Sequence, residues 1–378
     1  MAVETLVNNP EFERVCPIEK EQTFLPVFPE LLHSHYYELA SPVEQYYLNH
    51  PSEAFSLRMR ESFDQDGKAH YTATLKDSGT LQEQGLERIE VETEISEALY
   101  RYYQSPASPM LRKLRAHANR HVVIDFFEDG SVQVESEDAI AWTAFDDQMR
   151  TAFVDVTGDS QIRNEWKAHM AYRKSHQGQE ALVPLPDLDP AVIASDILAI
   201  KRLGETCFVQ ITGRSGSGKS TIVNELCAQL AEYGLTSEVI STDDYHRGAT
   251  WLSAYAKGEA WVDWDDPIVY NTEAMAQDLA DLKAGLPTVR RQIDFTEVES
   301  KIIGTIQPPD VLIIEGIYAS SPDFAEFADA KYEMPTPLAT CIGRRLLRDI
   351  RERPQFADTG ASLRYMLEYA EPRYRAQR

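Results

Sequence analysis

Short runs in the first half of the chain alternate apolar and polar side chains. They are Phe55-Ser-Leu-Arg-Met-Arg60, Tyr71-Thr-Ala-Thr-Leu-Lys76, Arg88-Ile-Glu-Val-Glu92, His121-Val-Val-Ile-Asp-Phe126 and Ser131-Val-Gln-Val-Glu135. A period of two sends successive side chains to opposite faces, so these runs predict antiparallel strands with one apolar and one polar face. The second half has a different texture. Apolar runs such as Cys207-Phe-Val-Gln-Ile-Thr212 and Val311-Leu-Ile-Ile314 alternate with amphipathic stretches at 221–233, 272–284 and 342–353. That alternation predicts a doubly wound α/β domain with a parallel sheet. Between the halves, SHQGQEALVPLPDLDPAV (175–192) shows no period and reads as a linker. The expected division is therefore an antiparallel α+β domain over 1–175, a linker over 176–195 and an α/β domain over 196–378.

Charge narrows the function. The 378 residues carry a formal net charge of −24, and both halves are acidic. Such a chain has no broad basic face to displace counterions, which argues against nucleic acid and anionic membrane as partners. No apolar stretch is long enough to span a bilayer, and the N-terminus lacks a basic start followed by an apolar run. The 4 cysteines lie far apart, without metal-ligand spacing. A cytoplasmic protein follows by elimination. The oligomeric state is not fixed by the sequence, and a homo-oligomer stays open.

Gly213-Arg-Ser-Gly-Ser-Gly-Lys-Ser220 fits G-x-x-x-x-G-K-[ST] and lies between a predicted strand and a predicted helix. Glycines let successive backbone N–H groups turn toward phosphate oxygens, and the following helix adds its positive N-terminal end. Gly213, Ser215, Gly216, Ser217, Gly218, Lys219, Ser220 and Thr221 are the expected nucleotide contacts, with Lys219 on the β- and γ-phosphates and Ser220 on Mg²⁺. Asp310-Val-Leu-Ile-Ile-Glu-Gly316 is an apolar strand ending in an acid, so Glu315 is the expected second group at the metal. Glu238-Val-Ile-Ser-Thr-Asp-Asp-Tyr-His246 also ends in acids, and a kinase needs a carboxylate there to take the acceptor's proton. The helix Cys341-Ile-Gly-Arg-Arg-Leu-Leu-Arg-Asp-Ile-Arg-Glu-Arg353 offers Arg344, Arg345, Arg348 and Arg353 as a phosphoryl clamp. A solvated basic helix with i,i+4 partners accounts for it equally well.

The order GRSGSGKST, STDDYHRG, WDDPIVYN, DFTEVES, DVLIIEGIYA and RRLLRDIRER resembles the uridine kinase/phosphoribulokinase family across about 200–378. The resemblance implies ATP and Mg²⁺, with Asp243 as general base and Glu315 as the strand-end acid. It further implies Asp265 on the sugar hydroxyls and Arg345, Arg348 and Arg353 in substrate and lid contacts. The acceptor stretch departs from the uridine kinase pattern at Ile293-Asp294-Phe295, Val298 and Arg364, while His246 resembles the phosphoribulokinase branch. The acceptor stays open between a nucleoside and a sugar phosphate.

In the first half, Glu19 with Glu21, Arg58 with Arg60, Glu90 with Glu92 and Glu135 with Glu137 are each two apart and share a strand face. Lys76, Arg88, Lys113, Arg115 and Arg120 lie in similar contexts. If those faces turn inward, the cations would hold a triphosphate or polyphosphate and the six glutamates a divalent metal, Mg²⁺ or Mn²⁺. If they turn outward, the result is an ordinary sheet with cross-strand ion pairs in water. The strings Glu19-Lys-Glu-Gln-Thr-Phe24, Leu57-Arg-Met-Arg60, Thr74-Leu-Lys76, Arg88-Ile-Glu-Val-Glu-Thr-Glu-Ile95, Glu135-Ser-Glu137 and Val156-Thr-Gly-Asp159 resemble the CYTH, or triphosphate tunnel, family over about 12–175. Thr23 stands where that family's opening motif has lysine, which removes a fixed cation. His33-Ser-His35 reads as surface, and Tyr36-Tyr37, Tyr46-Tyr47 and Tyr102-Tyr103 read as helix packing. The leading expectation is a small-molecule kinase whose N-terminal domain binds triphosphate with metal. A triphosphate or pyrophosphate hydrolase acting through the tunnel, and a tunnel serving as a non-catalytic sensor, are the alternatives.

Overall fold

The computed structural model describes residues 17–64, 66–83, 85–149, 151–352 and 358–377. The chain forms two compact units, Met1–Pro184 with Leu338–Arg364, and Leu185–Pro337 with Tyr365–Arg378. Among the described residues no helix is long and apolar enough to cross a membrane.

Unit 1 is built from β1 (Ile18–Pro26), β2 (Ser41–Tyr47), β3 (Phe55–Phe63), β4 (Ala69–Asp77), β5 (Thr80–Gln82), β6 (Gly85–Glu94), β7 (Met110–His117), β8 (Val122–Phe127), β9 (Val132–Ser136) and β10 (Phe153–Asp155). The order β1-β9-β8-β7-β2-β3-β4-β6 closes on itself where β1 pairs with β6, giving an eight-stranded antiparallel barrel. Closure decides which faces are interior. Ser56, Arg58 and Arg60 of β3, Thr74 and Lys76 of β4, and Arg88, Glu90 and Glu92 of β6 point into a cavity of about 480 Å³. Their neighbours Leu57, Met59, Ala73, Leu75, Ile89 and Val91 are buried on the outside. Each such Leu, Met or Ile contributes about 1.5–3 kcal/mol by leaving water. Along β8 and β9 the cover comes from Leu32 and Tyr36 of the helix Pro29–Tyr36 and Phe145 and Met149 of the helix Ala139–Met149.

Over β3 and β4 the cover is the arginine-rich helix Leu338–Glu352. It begins four residues before the predicted start and belongs to unit 1. Gly343 makes the close approach, since a Cβ there would lie 2.5 Å from the Phe55 ring. Tyr46 and Tyr47 are also placed differently from the expectation. They sit on strand β2 rather than a helix, consistent with the strand preference of aromatic side chains.

Unit 2 carries a parallel sheet in the order β12-β15-β11-β16, formed by β11 (Cys207–Thr212), β12 (Ser237–Ser241), β15 (Val311–Gly316) and β16 (Ala330–Glu333). β13 (Thr288–Asp294) and β14 (Glu299–Ile306) form a separate antiparallel hairpin. α1 (Pro190–Ile200) and α2 (Lys219–Glu232) pack Ile193, Ile197, Leu226 and Leu230 on one face of the sheet. α3 (Ala249–Tyr255) follows β12, and α4 (Thr272–Lys283) brings Met275, Leu279 and Leu282 to the other face. Apolar side chains on both faces explain why these strands read as continuous runs. The linker is shorter than expected. Asp189 accepts a hydrogen bond from Ala191 N at 2.8 Å and caps α1, so helix occupies the last part of 176–195.

The seat of the arginine helix contains one perturbed acid. Glu53 accepts from His50 N at 2.8 Å and from Thr340 Oγ1 at 3.4 Å, and burial pushes its carboxyl from 4.5 up to about 7. Its contribution to stability is complete below 4.5 and is lost as pH rises through about 7, because the unfolded chain releases this proton first. We predict that Glu53→Gln flattens the fall in Tm between those pH values. A slope identical to wild type would show that Glu53 titrates normally.

Candidate active site

In unit 2 the strands β11, β15 and β12 end side by side, with Ile211 opposite Glu315, Thr212 opposite Gly316 and Ser241 opposite Glu315. The loop 213–220 leaves β11 at this edge and runs directly into α2. Gly216 and Gly218 hold φ of 82° and 92°, a region that side-chain-bearing residues rarely adopt. At Gly213 a Cβ would meet Met334 Cβ and Ser217 Oγ, each at 2.7 Å. The loop is therefore a tight cradle. Among the described residues Ser217 Oγ is buried without a hydrogen-bond partner, the kind of orphan a phosphate oxygen would satisfy. Lys219 Nζ turns back to Gly213 O at 2.9 Å and Arg214 O at 3.0 Å. Ser220 and Thr221 are exposed at the start of α2, and Ser215 lies within the loop.

Arg214 was not singled out by sequence, yet it fastens this loop. Its guanidinium donates to Glu371 at 2.6 and 2.9 Å and lies 4.7 Å from the centre of the Tyr374 ring, both on α5 (Glu371–Ala376). Glu315 stands at the end of β15. Burial pushes its carboxyl up, Lys219 and the Ser241 hydroxyl draw it down, and Asp243 and Asp244 push it up again. The predicted loop lysine, strand-end acid and following carboxylates thus share one electrostatic neighbourhood.

Asp243 is exposed on the 3₁₀ turn Thr242–Tyr245, which Ser241 caps. His246 follows. Its Nδ1 accepts from Gly248 N at 3.0 Å, so the ring is neutral with its proton on Nε2. Burial holds its pKa below the ordinary value, while Asp243 and Glu299 oppose that shift. Its ring stacks at 5.8 Å on Trp264. Asp265 is buried, and its carboxylate accepts from Tyr365 Oη at 2.6 Å. Asp263 and Asp266 hold Arg373 at 2.8 and 2.5 Å. Tyr365 and Arg373 have no local pattern linking them to this region, lying about 100 residues further along the chain, whereas Trp264 opens the string WDDPIVYN.

Arg345 and Arg348 belong to unit 1. They lie on the barrel-bound helix, each 3.8 Å from the buried Asp349 carboxylate. Arg353 lies outside the described residues.

The barrel is the second candidate site. Its cavity is lined by Arg58, Arg60, Lys76, Arg88, Arg115 and Arg120 together with Glu19, Glu21, Glu90, Glu92, Glu135 and Glu137. Opposite charges answer one another across the strands. Lys76 Nζ meets Glu19 at 2.7 Å and Glu90 at 2.8 Å, and Arg88 meets Glu19 at 3.1 Å and also bonds Glu21. Arg58 meets Thr74 at 2.8 Å and Glu92 at 3.3 Å, and Arg115 meets Glu135 at 2.7 Å. Arg60 differs. It bonds Gln45 Oε1 at 3.2 Å and has no ion pair among the described residues; burial and the like charges of Arg58 and Arg115 oppose its charge, and Glu92 and Asp125 favour it in part. Arg120 and Glu137 are exposed. Partial desolvation, then Glu19 and Glu90, push the Glu137 carboxyl up, and Lys76 opposes them.

Lys113 does not line the cavity. Its side chain is sealed on Asp125 at 2.6 Å, and Asp125 also takes Arg115 at 2.7 Å. Thr23 lines the cavity and bonds Glu21 and Thr157 instead of supplying a cation. Arg163 and Gln133, which the sequence reading passed over, also line it. Among the described residues no three His, Cys, Asp or Glu side chains stand together as a metal site. The glutamates read as metal ligands are, apart from Glu137, engaged with cations.

The model of the Phosphoribulokinase / Uridine kinase family matches residues 208–363. A uridine kinase from Ureaplasma parvum serovar 3 is 35% identical over 147 residues, covering 38% of this chain and 70% of its own length. A uridine kinase from Staphylococcus carnosus is 29% identical over 153 residues, covering 40% and 72%. Among solved structures, an inorganic triphosphatase aligns with 40% of this chain and 93% of its own at 23% identity and a TM-score of 0.25, too remote to bear on function. With the cradle at 213–220, the acid ending β15 and over two thirds of a curated relative matched, this chain belongs to the phosphoribulokinase/uridine kinase family.

Proposed function

We propose that the protein is an ATP-dependent kinase that transfers the γ-phosphoryl group to a hydroxyl of a nucleoside-like acceptor. The carrying observation is the cradle at 213–220 with its buried, unpartnered Ser217 hydroxyl, facing the same sheet edge as Glu315 and Asp243. Backbone N–H groups of the loop and the N-terminus of α2 would hold the β- and γ-phosphates, with Lys219 leaving the loop carbonyls to join them. Ser220 and Glu315 would hold Mg²⁺, which spreads the charge of the phosphates. Asp243 would accept the proton of the attacking hydroxyl.

The acceptor region supports a neutral molecule over a sugar phosphate. Arg247, Arg291 and Arg373 already hold Glu273, Asp278 and the Asp263–Asp266 pair. The same region also carries hydrogen-bonding and aromatic groups: the Nε2–H of His246, the Asp265 carboxylate bonded to Tyr365, and the Trp264 ring. Such groups suit hydroxyls and a planar base. Measuring Mg²⁺-dependent ADP release with nucleosides and sugar phosphates tests this reading. Nucleoside-stimulated release that Lys219→Ala abolishes is expected; release that needs no acceptor and survives the mutation would transfer the activity to the barrel.

For the barrel we propose a role in binding a triphosphate or polyphosphate, supported by Arg60. A half-buried cation with no ion pair among the described residues is poorly compensated, and an anion in the cavity would relieve that cost. Arg60→Met should therefore raise the Tm of the unliganded protein while weakening tripolyphosphate binding by about tenfold or more. Calorimetry showing equal affinity, or a lower Tm, would remove Arg60 from the site.

A further inference from the structure

Asp243 is exposed, but both residues that follow it in the turn are anchored, and to the same hairpin. Asp244 Oδ1 accepts from Ile293 N at 3.0 Å, and Asp244 O accepts from Ser300 Oγ at 2.5 Å. Ile293 and Ser300 face each other across β13 and β14, so a single rung of the hairpin grips Asp244 by side chain and main chain. Tyr245 is buried, and its hydroxyl donates to Asp278 Oδ2 at 2.9 Å. Asp278, on α4, also accepts from Thr288 Oγ1 at 2.6 Å and Arg291 Nε at 3.1 Å, both on β13. Three of these bonds reach the hairpin from positions about 13 to 56 residues away in sequence.

A two-stranded hairpin is marginally stable by itself in water, and among the described residues this one pairs with no strand of the central sheet. The turn and the hairpin therefore order one another. We propose that Asp244 is the positioning residue for the Asp243 carboxylate, and that the β13–β14 hairpin is the frame against which it sets that carboxylate. Resting on the kinase reading above, this inference assigns Asp244 no proton transfer. Its oxygen is committed to Ile293 N, and what it supplies is the path of the backbone through Asp243. The requirement is strict, since a general base must lie within hydrogen-bond reach of the hydroxyl it serves. An error of about 1 Å can cost about 100-fold in rate.

Two substitutions separate positioning from direct catalysis. Asp244→Ala loses the acceptor for Ile293 N, whereas Asp244→Asn keeps an oxygen there and loses only the charge. We expect Asp244→Ala to lower kcat for nucleoside phosphorylation about 10- to 100-fold. The KM for ATP should move far less than kcat, because the bonds that Asp244 makes go to the hairpin and not to the loop 213–220. Asp244→Asn should stay near wild type. Ser300→Ala, which removes one hydroxyl from the hairpin, should lower kcat in the same direction by less and guards against misfolding of Asp244→Ala. Unchanged kcat in Asp244→Ala and Ser300→Ala would overturn the positioning role. So would Asp244→Asn as inactive as Asp244→Ala, which would make Asp244 a proton acceptor in its own right. A wild-type protein that phosphorylates no nucleoside would overturn the kinase reading, and the inference with it.

Discussion

The closeness of β12 and β15 at their carboxyl ends is the constraint on which the catalytic unit depends. Gly316 adopts φ of 142°, and a Cβ there would sit 1.9 Å from Thr242 Oγ1. Only glycine lets the strand bearing Glu315 pass that near the turn bearing Asp243. The register then places Thr212, the last residue before the loop, beside Gly316. Parallel strands ending at one level send their loops to one side, which is where such sheets bind ligands. Phosphate cradle, strand-end acid and exposed carboxylate thus converge because three short strands stop together.

Unit 1 obeys a different constraint. Closing the barrel removes alternate side chains from bulk water, and charges so enclosed must be answered by other charges. Lys76, Arg88, Arg58 and Arg115 are answered by the glutamates opposite them. Among the described residues Arg60 makes no ion pair; it bonds Gln45, and Glu92 and Asp125 favour its charge only at a distance. The outward faces of the same strands are apolar. They supply the seat for the helix Leu338–Glu352, so the sequence matched by the kinase family model is shared between the two units.

What was legible in the sequence was local. The loop at 213–220 was readable because its glycines, lysine and serine sit within eight residues, between a strand and a helix that each announce themselves. The strands of unit 1 were readable from alternation. Alternation does not say which face is inside; that was settled by β1 pairing with β6, a contact between residues about 70 apart. Lys113 looked equivalent to Arg115 and pairs with the same Asp125, yet it is buried there and does not line the cavity. The anchors of Asp243 were invisible for the same reason: Ile293, Ser300 and Asp278 meet the turn only after the chain has folded. Gly343 did leave a signal, since a glycine inside an otherwise helical pattern marks a close approach. Its partner Phe55 could not be named from sequence.

The central claim is transfer of a phosphoryl group to a hydroxyl, and following the label tests it most directly. Incubating the full chain with Mg²⁺, γ-labelled ATP and uridine should move the label into a nucleoside monophosphate. Label found in inorganic phosphate alone, across nucleosides and sugar phosphates alike, would contradict the account and make this chain a hydrolase.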